Sequence, residues 1–274
     1  MRFSVILNTY NRAHFLPRVL SAWTRIDPSR FVMVIADDGS SDGTPELIRE
    51  LGEKLPYELR YVWHENEGHR RAEILNKAVH VAPDEALLFT DADSLPAGDL
   101  LDVHAHNFTS RRMLVGGYMR LSESYTNDLD VDRVLEGHYE TQATTDVRRR
   151  LNKQHRKHRF YILLRKRGRP HVMGLNMVIP RSGFIAVNGY DNNFRGWGRA
   201  DGDLRERLKQ VGVRPHSDWN QALVFHMYHD EDPTKKQRAN VEYSERRDIP
   251  TRAEHGFAEI ADQAGDAVVY SNRD

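Results

Sequence analysis

The sequence predicts an α/β fold: a mostly parallel, Rossmann-like sheet flanked by helices. Three observations predict it. Short apolar runs begin near residues 3, 31, 59 and 87, and segments with helical apolar spacing separate them. The fourth run, Leu87 to Phe89, is apolar throughout rather than alternating, as in strands covered on both faces. Three runs end in polar clusters, Thr9 to Arg12, Asp37 to Asp38 and Asp91 to Asp93. A parallel sheet gathers such clusters at one edge, where ligands bind in open α/β proteins.

Phe3 to Leu7 is the first strand, ending in the turn Asn8-Thr9-Tyr10-Asn11-Arg12. Phe15, Leu16, Val19, Leu20 and Trp23 then follow at helical spacing. Phe31 to Ala36 is the second strand and runs into DDGSSDGT. Thr44 there reads as an N-cap and Pro45 as a first helical residue, with Leu47, Ile48 and Leu51 on one face. Leu59 to Trp63 is the third strand. After a turn at Asn66 to Gly68, Ala72, Leu75, Ala78 and Val79 mark a third helix that starts near Arg70 and Arg71. The fourth strand, Leu87 to Phe89, leads to Asp91 and Asp93. Two carboxylates at i and i+2 offer oxygens to one hard divalent cation and leave other positions for substrate phosphate.

The second half is less regular. Met113 to Met119 and Val172 to Ile179 read as strands, and Ala222 to Phe225 as a short strand ending in His226-Met227-Tyr228-His229. Residues 122–147 are polar and acidic. Arg148 to Arg169 is strongly basic and reads as a solvated helix or loop, a lid over a bound ligand, or a surface for anionic lipid headgroups. Asn188 to Leu204 is a glycine- and aromatic-rich loop running into a helix faced by Leu204, Leu208 and Val211. From Asp230 on, the charged sequence reads as a peripheral tail, partly helical between Arg252 and Ala264. The organisation expected is one domain over 1–230, in halves 1–95 and 96–230, followed by a charged tail over 231–274.

Composition bounds the function. The 274 residues suffice for a sizeable core, and 39% hydrophobic with 29% charged residues marks a folded, polar-surfaced chain. The 40 basic and 40 acidic residues cancel, so any attraction to a polyanion is local, and no nucleic-acid recognition motif appears. The absence of cysteine excludes disulfides, thiolate metal sites and a cysteine nucleophile, which is compatible with the cytoplasm. No apolar run reaches transmembrane length.

The ordered set ILNTYNR, ADDGSSDGT, GHRRAEILNKAV, TDADS and GLNMVIPRSGFIAVNGYDNNFRGWGRADGDL resembles the family 2 inverting glycosyltransferases, whose fold is the nucleotide-diphosphosugar transferase (GT-A) fold. The last stretch is most similar to galactosyltransferase- and chondroitin-polymerase-type members. The resemblance implies a nucleotide-binding half over 1–95 and an acceptor half over 96–230. It implies that Thr9, Tyr10 and Arg12 border the nucleotide. Asp38 would accept a hydrogen bond from the uracil imide, with Asp37 beside it. Arg70 would pair with the diphosphate or with the base-binding aspartate, and Arg71 is its competitor. Asp93 would bind the metal, and Asp91 would hold the ribose or reach the metal through water. His229, then His226, would complete the metal set. On an extended segment the two histidines face opposite ways, whereas in a turn both reach. Mn²⁺ suits such a set better than Mg²⁺.

In the family pattern Gly-Trp-Gly-x-Glu-Asp the last aspartate is the catalytic base, and here it is Asp201, with Asp203 as the alternative. Ala200 replaces the family's glutamate. Trp197, beside Gly198, would stack on sugar CH groups, and Gly174 with Asn176 would line the donor-sugar pocket. The implied activity is metal-dependent inverting transfer of a hexose or N-acetylhexosamine from a UDP-sugar to a sugar hydroxyl of a glycan or lipid-linked oligosaccharide. The setting implied is bacterial surface polysaccharide synthesis in the cytoplasm or on the inner face of the membrane. Two alternatives stand beside it. A nucleotidyltransferase would carry a glycine-rich loop after the first strand, where this chain has NTYNR. A non-catalytic carbohydrate- or lipid-binding protein on a degenerate transferase fold is favoured by Ala200 alone.

Overall fold

A computed structural model describes residues 1–231, 240–246, 248–264 and 267–273. The first four apolar runs form β1 (Phe3–Thr9), β2 (Phe31–Asp37), β3 (Leu59–Trp63) and β4 (Ala86–Asp91). Between them lie α1 (Leu16–Trp23), α2 (Thr44–Gly52) and α3 (Arg71–Val81). Then come β5 (Ser94–Pro96), α4 (Leu100–Asn107), β6 (Arg112–Arg120), α5 (Glu123–Asp128), α6 (Val131–Leu135) and α7 (Thr145–Leu163). The chain continues through β7 (Asn176–Pro180), α8 (Arg181–Ala186), α9 (Ala200–Gln210) and β8 (Arg214–His226). It closes with α10 (Val241–Glu245), α11 (Ala261–Ala264) and β9 (Val268–Ser271).

Among the described residues the strands form one sheet in the order β5-β8-β6-β7-β4-β1-β2-β3-β9. The run β3-β2-β1-β4 is parallel. β7 is antiparallel to β4 and β6, and β8 is parallel to β6. β2 and β3 lie on one side of β1 and β4 on the other, so the strand order reverses between β1 and β4. There Asn8 stands in register with Asp91. This is the crevice in which doubly wound sheets bind ligands. The core follows the same strands: Val5, Ile6, Leu7, Val34, Leu88 and Phe89 have no exposed surface.

Several expected boundaries shift for physical reasons. Thr44 is the first helical residue of α2 rather than its cap; the cap is Gly43, with a left-handed backbone, and Asp42 before it accepts from the Thr44 hydroxyl at 2.6 Å. The strand expected from Val172 begins only at Asn176, because the backbone N–H of Gly174 is committed to Asp201. β8 runs Arg214 to His226, far longer than Ala222 to Phe225. Two of its polar residues are buried and satisfied: Asp218 accepts from Asn107 at 2.9 Å and faces His104 at 3.2 Å, and Ser217 meets His155 at 3.1 Å. Apolar patterning cannot find such a strand. At Gly116/Gly117 the β6–β8 register shifts, and a Cβ on Gly117 would stand 1.9 Å from the Trp219 carbonyl oxygen.

The expected peripheral tail is partly structural. β9 pairs antiparallel with β3 at the edge of the sheet. Phe257 stacks on His80 at 3.7 Å, and its N–H donates to the Asn188 carbonyl. The helix expected between Arg252 and Ala264 is reduced to a 3-10 turn at Ala258–Ile260 and α11. Tail residues 232–239, 247, 265, 266 and 274 lie outside the described residues.

Candidate active site

A cavity of about 780 Å³ opens at the C-terminal ends of β1, β2 and β4. Thr9, Tyr10, Arg12, Asp38, Asp91, Asp93, Gly174, Trp197, Gly198, Asp201, Asp203, His226 and His229 all line it. Asp37, Arg70 and Asn176 do not. Asp37 is fully buried, accepting from the Ser40 hydroxyl at 2.6 Å and the Tyr61 hydroxyl at 2.5 Å, so it fixes the turn after β2. The Arg70 guanidinium turns to the Glu65 carbonyl, Glu67 and Glu73, while its backbone N–H donates to Asp38 at 2.9 Å. Asn176 donates to the carbonyls of Gly117 and Ala222 and meets His104 at 3.0 Å, holding strands together.

The turn after β1 is pinned to the turn after β2. Asn11 has a left-handed backbone, its N–H donates to the Ser40 hydroxyl at 2.8 Å, and its side chain accepts from the Ser41 N–H at 2.9 Å. Asp38 faces His64 at 2.8 Å and turns its edge to the cavity.

Asp93 follows β4 and meets both histidines. His226 Nε2 lies 3.4 Å from one carboxylate oxygen and His229 Nε2 lies 3.3 Å from the other. β8 ends at His226, and the chain then leaves the extended path, so both rings reach one point, as in the turn arrangement. One potential ligand atom from each of the three residues lies within 4.8 Å of the others. His229 Nδ1 is held by the Asp230 carbonyl at 2.7 Å, which orients Nε2 toward Asp93. Burial pushes the Asp93 carboxyl up, but the two imidazoles outweigh it and hold it below the usual range. The hydrogen bond to Asp93 raises His229, whereas burial lowers His226. Burial also raises Asp91, and Arg71 only partly offsets it. Two buried atoms of this floor, Thr9 Oγ1 and Asp91 Oδ1, make no hydrogen bond among the described residues.

Asp201 opens α9. Its carboxylate accepts from the Gly174 N–H at 3.1 Å and the Tyr190 hydroxyl at 2.9 Å, and Arg71 lies at 3.2 Å. Arg71 also lies 3.9 Å from Asp91. Burial opposes its charge, but Asp201, Tyr190 and Asp91 raise its pKa overall. A Cβ at Gly174 would stand 2.1 Å from the Arg71 guanidinium, so a side chain there would displace Arg71 from Asp201. Asp203 is engaged elsewhere, with the buried Arg207 at 2.7 Å and Arg246 at 3.3 Å. The loop before α9 carries left-handed backbone at Gly196, Gly198 and Arg199, and Asn240 donates to the carbonyls of Gly196 and Gly198. Trp197 is 43% exposed on its rim.

Tyr190, buried behind the cavity wall, and Arg120 and His171, which line it, are among the site residues that escaped the sequence reading. Tyr190 carried no signal beyond its place in NGYDNN, since only the fold brings its hydroxyl to Asp201. Arg120 ends β6 opposite His226, so the strand-end rule applied to β6 would have found it. His171 lies just before the segment read as a strand, Val172 to Ile179.

The model of the family described as "Glycosyl transferase family 2" matches residues 4–184. The chain belongs to glycosyl transferase family 2. A second model, described as the N-terminal domain of galactosyltransferase, matches residues 154–230 and so spans the loop of Asp201 and both histidines. This family 2 chain is 28% identical over 231 residues to a validoxylamine A glucosyltransferase of Streptomyces hygroscopicus subsp. limoneus, covering 77% of this chain and 48% of that one. It therefore spans about half the length of that relative. Over 95 residues it is 30% identical to the poly(ribitol-phosphate) beta-N-acetylglucosaminyltransferase TarS of Staphylococcus aureus, covering 34% of this chain and 16% of that one.

Among solved structures, the mannosyltransferase PcManGT from Pyrobaculum calidifontis, in complex with GDP-Man and Mn²⁺, superposes with a TM-score of 0.59 at 21% identity. That match covers 86% of this chain and 59% of the other. TarS in complex with UDP-GlcNAc gives a TM-score of 0.56 at 16% identity, covering 86% and 61%. These likenesses establish the GT-A glycosyltransferase fold. Family membership sets aside the nucleotidyltransferase alternative.

Proposed function

We propose that this enzyme is a metal-dependent inverting glycosyltransferase that moves a hexose or N-acetylhexosamine from a UDP-sugar to a hydroxyl of a glycan or lipid-linked oligosaccharide. One observation carries the reading: Asp201 shares a cavity with the Asp93–His226–His229 cluster, and Arg71 joins Asp201 to Asp91. The neighbours named with GDP-Man and Mn²⁺ and with UDP-GlcNAc support a nucleotide-sugar donor. A relative named for a poly(ribitol-phosphate) acceptor supports a bacterial polymer as the acceptor.

One carboxylate and two imidazoles fit Mn²⁺ better than Mg²⁺, which prefers oxygen ligands. When held by Asp93, His226 and His229, with Asp91 beside them, the ion supplies Lewis-acid charge to the donor diphosphate. Thr9, Tyr10, Arg12 and Asp38 border the nucleotide, with residues 1–95 as its half of the domain and 96–230 as the acceptor half. Arg12, Arg71 and Arg120 set positive charge around the phosphates. Asp201 takes the proton from the acceptor hydroxyl as that oxygen attacks the anomeric carbon opposite the leaving nucleotide. Gly174, Tyr190 and Arg71 hold the carboxylate for this step. Trp197 offers its ring to the acceptor sugar, and Ala200, in place of the family's glutamate, leaves room for a different acceptor contact.

A melting-temperature panel of nucleotides with Mn²⁺ and with chelator tests the reading, because specific binding stabilises by mass action, about 2.7 kcal/mol at a hundredfold excess over Kd. UDP should raise the melting temperature with Mn²⁺ and lose that effect with chelator. A response to GDP but not UDP would overturn the uridine assignment of Asp38. No response to any nucleotide would move the degenerate binding-protein reading to first place.

A further inference from the structure

Arg148 to Arg169 holds eleven Lys or Arg and no Asp or Glu, although the whole chain is neutral. The mechanism uses none of residues 148–164. Leu151 and His158 of α7 are buried, His155 meets Ser217 of β8 at 3.1 Å, and the His158 ring lies 4.6 Å from that of Trp219. These positions fall on one side of α7 and anchor it to the sheet, which is not the attachment of a lid. At 100° per residue, the stripe diametrically opposite is Arg149, Lys153, Arg156, Phe160 and Leu163. All five are exposed.

The stripe changes character along its length. Its first part is cationic. Its last part leaves Phe160 57%, Leu163 79% and Leu164 58% exposed, followed at once by Arg165, Lys166 and Arg167. A merely solvated helix face has no reason to place three large apolar side chains outermost. A nucleic-acid surface would explain the cations but not this aliphatic end. Cations beside exposed leucines and a phenylalanine are the pattern of a helix lying in the headgroup region of a bilayer. Among the described residues no helix is long and apolar enough to cross a membrane, so the contact would be at the surface.

We propose that the outer face of α7 docks this enzyme on a bilayer surface rich in anionic phospholipid. Phe160, Leu163 and Leu164 enter the headgroup–acyl boundary, and Arg149, Lys153 and Arg156 meet lipid phosphates. Arg167 and Gly168, just beyond the apolar end, line the active-site cavity. Docking therefore brings the mouth of the cavity toward the surface, where a lipid-linked acceptor would present its sugar. The inference goes beyond the transferase reading and does not depend on its donor or base.

The test is flotation of the full chain with vesicles of phosphatidylcholine alone and of phosphatidylcholine mixed with phosphatidylglycerol. Binding should appear with the anionic vesicles, weaken as salt is raised, and be near zero with the zwitterionic ones. Combining Arg149→Gln, Lys153→Gln and Arg156→Gln should lower partitioning about 100-fold, at roughly 1 kcal/mol per cation. Combining Phe160→Ser, Leu163→Ser and Leu164→Ser should lower it at least about 10-fold. These positions are exposed, so both variants should melt like the parent and keep the nucleotide-induced rise in melting temperature. That second readout separates failure here from failure of the transferase reading. Equal binding to both vesicle types, variants that bind like the parent, or binding to a single-stranded RNA without binding to vesicles would each overturn the proposal.

Discussion

Asp201 and Asp203 stand two residues apart at the start of α9 and live in different surroundings. Asp201 accepts from Gly174 and Tyr190 at the cavity wall, while Asp203 is buried against Arg207. Their substitutions should therefore separate. Asp201→Asn should lower turnover by roughly 10²- to 10⁴-fold, the usual worth of a general base, and leave nucleotide affinity nearly unchanged. Calorimetric titration beside a product assay reads both quantities, and near-normal turnover would remove Asp201 as the base. Asp203→Asn removes the charge partner of a fully buried arginine and should cost about 3–5 kcal/mol of stability. Chemical denaturation measures that loss, and the folded fraction should keep its turnover. Both aspartates were legible in the sequence. Their difference was not, because Arg207 is helical spacing away from Asp203 whereas Tyr190 and Arg71 reach Asp201 only through the fold.

At the scale of elements, α7 shows why the basic stretch was hard to read. Its two buried positions are Leu151 and His158, and a histidine does not register as core. Burial holds the His158 ring down at about 4, with the nearby His155, His171, Arg169 and Lys157 adding to the effect. The folded state thus keeps the ring neutral, while the unfolded chain protonates near 6.5. The contribution of His158 to stability should be unchanged above that pH, fall as pH drops from 6.5 toward 4, and level off below. The full loss is about 3 kcal/mol. Denaturant unfolding at several pH values, compared with His158→Phe, isolates the contribution. An unchanged slope in the variant would place the acid sensitivity elsewhere. β8 makes the same point through Asp218 and Ser217. Buried polar residues with built-in partners erase the apolar signature of a strand without weakening it.

At the scale of the whole molecule, the sheet is closed at its β3 edge by residues more than 200 positions away. β9 pairs with β3, and Asn272 caps the junction, accepting from the Leu59 N–H at 2.8 Å and donating to the carbonyls of Gly52 and Tyr57. Gly52 has no room for a side chain, since a Cβ would lie 2.7 Å from the Tyr270 ring. Truncation before Ala267 should lower the melting temperature and expose the β3 edge to pairing with other copies. Light scattering on heating should show this as earlier aggregation, and a truncated chain that melts and scatters like the parent would show the edge strand to be dispensable.

The sequence by itself determined the alternation β-α-β-α-β-α-β, because continuous apolar runs and helical spacing are local properties of the chain. It also determined which strand ends carry chemistry, since Thr9 to Arg12, Asp37 to Asp38 and Asp91 to Asp93 follow those runs directly. Tertiary structure alone decided which of these residues meet. It turned Asp37 and Asn176 into internal braces and sent the Arg70 guanidinium to the glutamates beside it. It set Arg71 between Asp91 and Asp201, and it bent the chain after β8 so that both histidines reach Asp93. Hydrogen bonds between residues far apart in the chain depend on how its elements pack, and packing is not written in any local stretch.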